Sequence, residues 1–253
     1  MQRIRVIPVL LLKNQGLVKT KKFKDPKYLG DPINAVKIFN DKEVDELAFL
    51  DITASIEKRE PNYKVIEEIA SECFMPLSYG GGITTFDQAK ILFNIGVEKL
   101  VINTSAFSNP DLITKITEHY GAQALAVCID TKKSFLGKYE VYIHSGTKNT
   151  GRNPISYALE MQKLGAGEII IQSIDKDGTM QGYDIDLIHK VSTNVGIPVI
   201  ACGGAGTLQH FTEAIKQGGA SAVSAGSMFV FHGKHKAVLI SYPSQEELQR
   251  IFN

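Results

Sequence analysis

Apolar runs of four to eight residues recur along the chain, separated by stretches with helical spacing. The runs are Ile4–Leu11, Glu46–Asp51, Pro76–Tyr79, Lys99–Asn103, Ala124–Asp130, Glu168–Ser173, Pro198–Cys202 and Ser221–Ala225. Most are continuous rather than alternating, the pattern of parallel strands covered on both faces. Asp31-Pro32, Asn109-Pro110 and Asn153-Pro154 predict helix starts, because proline at the first helical position gives up an N–H that has no partner there. Phe86, Ala89, Leu92 and Phe93 form one apolar helix face before Gly96, and Leu208, Phe211, Ala214 and Ile215 form another before Gly218. Each strand is followed by a helix or by a loop long enough to hold one, the last helix being Ser244–Phe252.

The chain also repeats itself. Pro76–Phe107 aligns without a gap on Pro198–Phe229, an offset of 198 − 76 = 122 residues. Gly81/Gly203, Gly82/Gly204, Thr85/Thr207, Gly96/Gly218, Val101/Val223, Ser105/Ser227 and Phe107/Phe229 match, and the same offset places Glu46 on Glu168. Two related (β/α)4 halves joined in one α/β (β/α)8 TIM barrel account for this, whereas an open doubly wound sheet needs no such symmetry. The expected organisation is one barrel domain over residues 1–253, a length typical of the fold.

One segment breaks the rhythm. Lys13–Gly30 carries six lysines and is expected to be a long loop, either a solvated basic segment or a lid over an anionic ligand. Thr131–Ser145 is a second insertion, with a hairpin turn expected at Phe135–Tyr139. Composition narrows the function. With 28 basic and 27 acidic residues the net charge is +1, which gives no general attraction to nucleic acid or membrane. No apolar stretch approaches the roughly 20 residues of a membrane span. The run Val6–Leu12 is short for a signal segment, and a cytoplasmic location is expected. Cys73, Cys128 and Cys202 lie far apart in apolar runs and read as buried free thiols. The six histidines do not cluster, so neither a metal nor a cofactor is expected.

In a barrel of this kind the chemistry sits at the C-terminal ends of the strands. Asp51, Asn103, Asp130, Asp175 and Asp177 fall at or just past such ends, as do two glycine turns, Gly80-Gly81-Gly82-Ile83 and Gly203-Gly204-Ala205-Gly206. Any one of these carboxylates could serve as a helix cap. Glycine turns let backbone N–H groups approach an anion, and Asn103-Thr104-Ser105 and Ala225-Gly226-Ser227 each lead into a helix start. Two such cradles, duplicated by the repeat, point to a ligand with two phosphoryl groups.

These residues resemble a known family along nearly the whole chain. DELAFLDITAS (Asp45–Ser55), GGGI (Gly80–Ile83), VINTSAF (Val101–Phe107), SGTKNTG (Ser145–Gly151), GAGEIIIQSIDKDGT (Gly165–Thr179), GYD (Gly182–Asp184) and GGAG (Gly203–Gly206) are similar to the cyclase subunit of imidazole glycerol phosphate synthase, HisF. The resemblance implies an ammonia-dependent synthase subunit of lyase/cyclase type. A glutaminase (HisH-like) subunit, bound as a heterodimer at the N-terminal face of the barrel, supplies the ammonia. It implies phosphate binding by Gly82, Asn103 and Thr104 on one side and by Asp177, Gly178, Gly204, Ala205, Gly226 and Ser227 on the other. It also implies an ammonia gate of Arg5, Glu46, Lys99 and Glu168, and places Asp51 and Lys19 on the active rim. Two cations and two carboxylates at one end of the barrel can satisfy one another.

One position departs from the family. The resemblance implies two aspartates acting as acid and base, at the ends of the first and fifth strands. Asp130 fills the fifth-strand position, but the first-strand motif reads IPVLLLKN and Leu11 stands where the other aspartate belongs. Leucine transfers no proton, and losing a positioned acid or base costs about 10²- to 10⁴-fold in rate. With this departure the chain resembles relatives of the family in surface-polysaccharide pathways, and that resemblance implies the preferred reading: a divergent paralog using channelled ammonia to form an acetamidino group on a nucleotide-linked sugar. The alternatives are the histidine-pathway cyclase itself and a non-catalytic scaffold that activates a glutaminase.

Overall fold

A strand with apolar side chains on both faces must be covered on both, and a closed sheet ringed by helices achieves this. The computed structural model describes residues 3–233, 235 and 237–252. The strands of its main sheet are β1 (Arg5–Lys13), β2 (Gly16–Lys21), β3 (Lys24–Gly30), β4 (Leu47–Asp51), β5 (Leu77–Gly80), β6 (Lys99–Ile102), β7 (Leu125–Lys133), β8 (Tyr139–Ile143), β9 (Lys148–Asn149), β10 (Glu168–Ser173), β11 (Val199–Cys202) and β12 (Ala222–Ala225). Eight of them, in the order β1-β4-β5-β6-β7-β10-β11-β12, pair in parallel, and β12 returns to β1 to close a (β/α)8 barrel. The helices are α1 (Pro32–Asp41), α2 (Ala54–Glu57), α3 (Tyr63–Glu72), α4 (Phe86–Asn94), α5 (Thr104–Ser108), α6 (Asp111–Tyr120), α7 (Pro154–Lys163), α8 (Ile185–Ser192), α9 (Leu208–Lys216), α10 (Ser227–Val230) and α11 (Gln245–Phe252).

Local chemistry sets the helix starts. Asp31 accepts from the Asn34 N–H at 3.1 Å and Asn153 from the Ile155 N–H at 2.8 Å, each with proline following. Thr85 and Gln88 form a reciprocal capping box at α4. The Asn109-Pro110 signal is displaced: Asn109 closes α5, its side chain donates to the Thr84 carbonyl, and α6 begins at Asp111. The large core lies between sheet and helices, where Phe39, Phe49, Tyr79, Tyr157, Phe211 and Phe229 are fully buried. Inside the barrel a smaller apolar set includes Ile7, Val9, Leu11, Ala48, Ile200 and Ala222.

The duplicated halves share their order of elements. β5 and α4 recur 122 residues later as β11 and α9, with Thr85 and Thr207 preceding the helices in the same extended conformation. The structure adds a match that the alignment did not contain. β1 and β7 are both nine residues long, and each runs out of the barrel into an antiparallel partner, β2 and β8 respectively. Lys13–Gly30 is therefore a β-hairpin and not a long loop. Its strands do not show as such in the sequence, because Lys19 and Thr20 are buried together with Leu17 and Val18 in one continuous run. The turn expected in the second insertion does lie between β7 and β8, at Ser134–Lys138.

All three cysteines are free; Cys128 is buried, while Cys73 and Cys202 are only half-buried. No helix among the described residues is long and apolar enough to cross a membrane, and no metal-ligating cluster occurs among them.

Candidate functional site

At the C-terminal ends of the strands the barrel opens into a cavity of about 680 Å³. Leu11, Lys19, Asp51, Gly82, Asn103, Thr104, Asp130, Asp177, Gly178, Gly204, Ala205, Gly226 and Ser227 all line it. The two glycine turns thus border one mouth, as the repeat predicted.

Strand register places the two positions expected to carry an acid. Leu11 of β1 pairs with Leu50 of β4, and Asp130 of β7 pairs with Gln172 of β10. Leu50 and Gln172 are 122 residues apart, so the repeat sets Leu11 and Asp130 at equivalent points of the two halves. Both are almost fully buried, at 9% and 7% exposed. One half of the mouth presents a carboxyl and a carboxamide, and the other presents two leucines. Burial pushes the Asp130 carboxyl up to about 7; the charge of Asp177 adds to the rise, and a hydrogen bond from the Cys128 thiol, at 3.5 Å, opposes it. Asp130 therefore exchanges a proton near neutrality, the range a general acid–base needs.

The cradle residues are fixed by close packing. Gly82 has φ +74°, and a Cβ there would stand 2.7 Å from the Arg59 carbonyl oxygen. Gly204 has φ +119°, and its Cβ would stand 2.2 Å from the carbonyl oxygen of Gly182. These turns must be glycine for the backbone to pass, whatever they bind. Neither α5 nor α10 has a side-chain cap: Asn103 turns away to donate to the Cys128 carbonyl at 2.9 Å, and Gly226 has no side chain. Thr104 is partly engaged, its hydroxyl accepting from the His144 N–H at 3.0 Å.

Two rim carboxylates are occupied. Asp51 accepts from the N–H groups of Thr53 and Ala54 at 3.1 Å and pairs with Arg59 at 2.8 Å. It is a loop-organising anion and not a free acid. Asp177 accepts from the Thr20 hydroxyl at 3.1 Å, and its backbone carbonyl accepts from the Lys22 N–H at 3.0 Å. The β2–β3 hairpin is thereby fastened across the mouth, with the Phe23 ring lying against Gly146. Lys19, on this hairpin, is 7% exposed with its ammonium against Gly226. Among the described residues no carboxylate lies within ion-pairing distance of it. A buried, unpaired ammonium at the cavity wall is suited to an anionic ligand. Asp175 points elsewhere and accepts from the Lys133 N–H at 3.0 Å.

The opposite end of the barrel holds a closed ring. Arg5 pairs with Glu46 at 2.6 Å and with Glu168, and Lys99 reaches Glu46 at 3.1 Å and Glu168 at 2.8 Å. Burial pulls the Arg5 pKa down, but Glu168 and Glu46 more than offset this and leave it above its ordinary value. Ser78 completes the ring by donating to Glu46 at 2.6 Å.

Ser78, Arg59 and Gln172 were not singled out from the sequence, and Cys128 was read there only as a buried thiol. For Gln172 a signal existed: it is the one polar residue in the run IIIQ and has the inward parity of Glu168 and Ile170.

Comparison with known proteins gives the family. The model of the histidine biosynthesis protein family matches residues 5–236. A protein of Pseudomonas aeruginosa, provisionally named imidazole glycerol phosphate synthase subunit hisF2, is 52% identical over 98% of this chain and 99% of its own length. Provisionally named HisF subunits are 51% identical in Leptospira borgpetersenii, over the full length of both chains, and 49% in Vibrio vulnificus (hisF3), over 99% of this chain and 96% of its own. A barrel with paired glycine turns at its mouth, a charged ring at its base and relatives at this identity belongs to the histidine biosynthesis protein family, as a divergent HisF-like subunit of the imidazole glycerol phosphate synthase type.

Proposed function

We propose that this subunit receives ammonia from a glutaminase docked at the N-terminal face and uses it on a phosphate-bearing acceptor held in the mouth. The acceptor differs from that of the histidine-pathway cyclase. The observation that carries this reading is Leu11, paired with Leu50 at the point equivalent to Asp130 and Gln172. One proton-transfer group has been replaced by an apolar wall, while the other elements remain.

The ring of Arg5, Glu46, Lys99 and Glu168 lies where ammonia would enter. Above it the lumen is apolar, with the small side chains Ala48, Ala126 and Ala222 set among Ile7, Val9, Val101 and Ile200. Ammonia arriving beside Asp130 meets a carboxyl near its midpoint at neutral pH. The acceptor we favour is a nucleotide-linked sugar whose acetamido group becomes an acetamidino group: ammonia adds to the amide carbon, Asp130 relays protons from the nitrogen to the displaced oxygen, and that oxygen leaves as water. The acceptor's diphosphate fits one cradle at a time, and the cradle of Asp177, Gly178, Gly204, Ala205, Gly226 and Ser227, which also carries the buried ammonium of Lys19, suits it better than that of Gly82, Asn103 and Thr104 on the other side.

Two measurements test the proposal. The protein is expected to stimulate glutamine hydrolysis by a glutaminase subunit of this family, yet to fail to restore growth of a histidine auxotroph lacking the cyclase. Restored growth, with imidazole product formed from the two-phosphate ribonucleotide, would overturn the changed acceptor. No stimulation of any co-expressed glutaminase would remove the ammonia route.

A further inference from the structure

Gln172 is 6% exposed and lines the mouth between three functional strands. Its Cα partners are Asp130 on β7 and Cys202 on β11. The carboxamide has a defined orientation. Nε2 donates to Asp177 Oδ1 at 3.4 Å, and the reverse orientation would set a carbonyl oxygen against a carboxylate. Oε1 is then buried with no donor among the described residues. A buried acceptor left unpaired is costly, and such groups in native structures have a reason.

The groups around Asp130 leave few candidates for that donor. Cys128, on the same strand, directs its thiol to Asp130 Oδ1. Cys202, from β11, keeps its thiol protonated, with a pKa pushed up by burial to about 11, but it is a weak donor and makes no hydrogen bond to the Gln172 carboxamide oxygen. Asp177, beyond β10, is an acceptor. Lys19, from β2, lies against Gly226. Asn103, from β6, is turned to the Cys128 carbonyl. The cross-strand neighbour Asp130 becomes a donor once it carries a proton. In the other half of the barrel, where the acid is replaced by Leu11, the position matching Gln172 is Leu50. Carboxamide and acid occur together, and both are missing together.

We propose that Gln172 is the positioning residue of Asp130: anchored by Asp177, its Oε1 accepts the O–H of protonated Asp130 and holds that acid in one orientation. Asp177 is in turn held by Thr20. The chain Thr20–Asp177–Gln172–Asp130 therefore ties the hairpin across the mouth to the proton carrier beneath it. Opening the hairpin loosens Asp177, frees the carboxamide and releases the proton from its fixed direction. This rests on Asp130 as the proton carrier of the proposed function, but it can be read without acceptor or glutaminase.

The test is infrared difference spectroscopy of the intact protein between acid and alkaline solution, with the Asp130 carboxylic-acid C=O band assigned by its loss in Asp130→Asn. A carboxylic acid that donates a hydrogen bond absorbs at lower wavenumber than a free one. Gln172→Leu, which keeps the shape and removes the acceptor, is expected to move the band to higher wavenumber. Gln172→Asn, polar but one methylene too short to span both carboxyls, is expected to move it the same way and guards against a folding failure of the first variant. Thr20→Val is expected to broaden the band. A band that stays in place in both Gln172 variants, or a parent protein with no Asp130 acid band, overturns the proposal. A protein that passes this test yet stimulates no glutaminase would refute the proposed function alone.

Discussion

Replacing Asp130 by asparagine should stabilise this protein while abolishing its chemistry, and the gain should depend on pH in a defined way. The Asp130 carboxyl is buried, and its pKa rises from 3.8 to about 7 in the folded chain. The folded state therefore binds the proton more tightly than the unfolded state. Below about pH 4 both states are protonated and the group carries no penalty. Between about pH 4 and 7 the unfolded chain has lost the proton that the folded chain keeps, so stability falls as pH rises. Above about 7 the full cost is present. A rise of roughly three pH units at about 1.4 kcal/mol each gives a ceiling of about 4 kcal/mol. Asparagine keeps the shape and removes the charge, so Asp130→Asn should match the parent in acid and exceed it by about 2–4 kcal/mol in alkali. Urea unfolding of both proteins across the pH range, read as a difference so that the other carboxylates cancel, measures this. A difference that stays flat with pH would refute the assignment of Asp130 as a buried acid with a raised pKa, and with it its fitness for proton transfer at neutrality.

Three other outcomes are expected. Arg5→Met leaves Glu46 and Glu168 sharing Lys99 in a largely buried ring, and should cost about 2–4 kcal/mol in thermal or urea unfolding; adding Glu168→Gln should restore most of it by rebalancing the charge. A double variant no more stable than Arg5→Met would show that the ring is not a closed unit. Gly204→Ala sets a Cβ 2.2 Å from a backbone oxygen at positive φ, so it should lower stability by about 1–3 kcal/mol and weaken protection of the protein by inorganic phosphate in a thermal shift; unchanged protection would remove this turn from the anion site. Leu11→Asp restores an acid at the position equivalent to Asp130, so it should raise product formation from the two-phosphate ribonucleotide when ammonia is supplied directly; no gain would locate the change of acceptor elsewhere in the pocket.

Much of this architecture could be read from residue order. Continuous apolar runs demanded cover on both faces, the 122-residue repeat demanded two equal halves, and proline after Asp31 and Asn153 marked helix starts that the structure keeps. These signals are local or periodic, so one dimension suffices to hold them. The hairpin at Lys13–Gly30 was misread because its lysines look solvated until a mouth exists for Lys19 to enter.

Which carboxylates remain available is another matter. Asp51, Asp130 and Asp177 all end or follow strands and look alike in the sequence. Only the assembled barrel distinguishes the one tied to Arg59, the one fastened to the hairpin and the one left buried beside a carboxamide. The family position of Leu11 was legible by resemblance, but its pairing with Leu50 opposite Asp130 and Gln172 required strand register. The sequence by itself determined the barrel, its duplication and the residue types at its mouth, because those follow from spacing. The tertiary structure alone decided protonation, partnership and freedom, because each depends on charges and walls contributed by strands far apart along the chain.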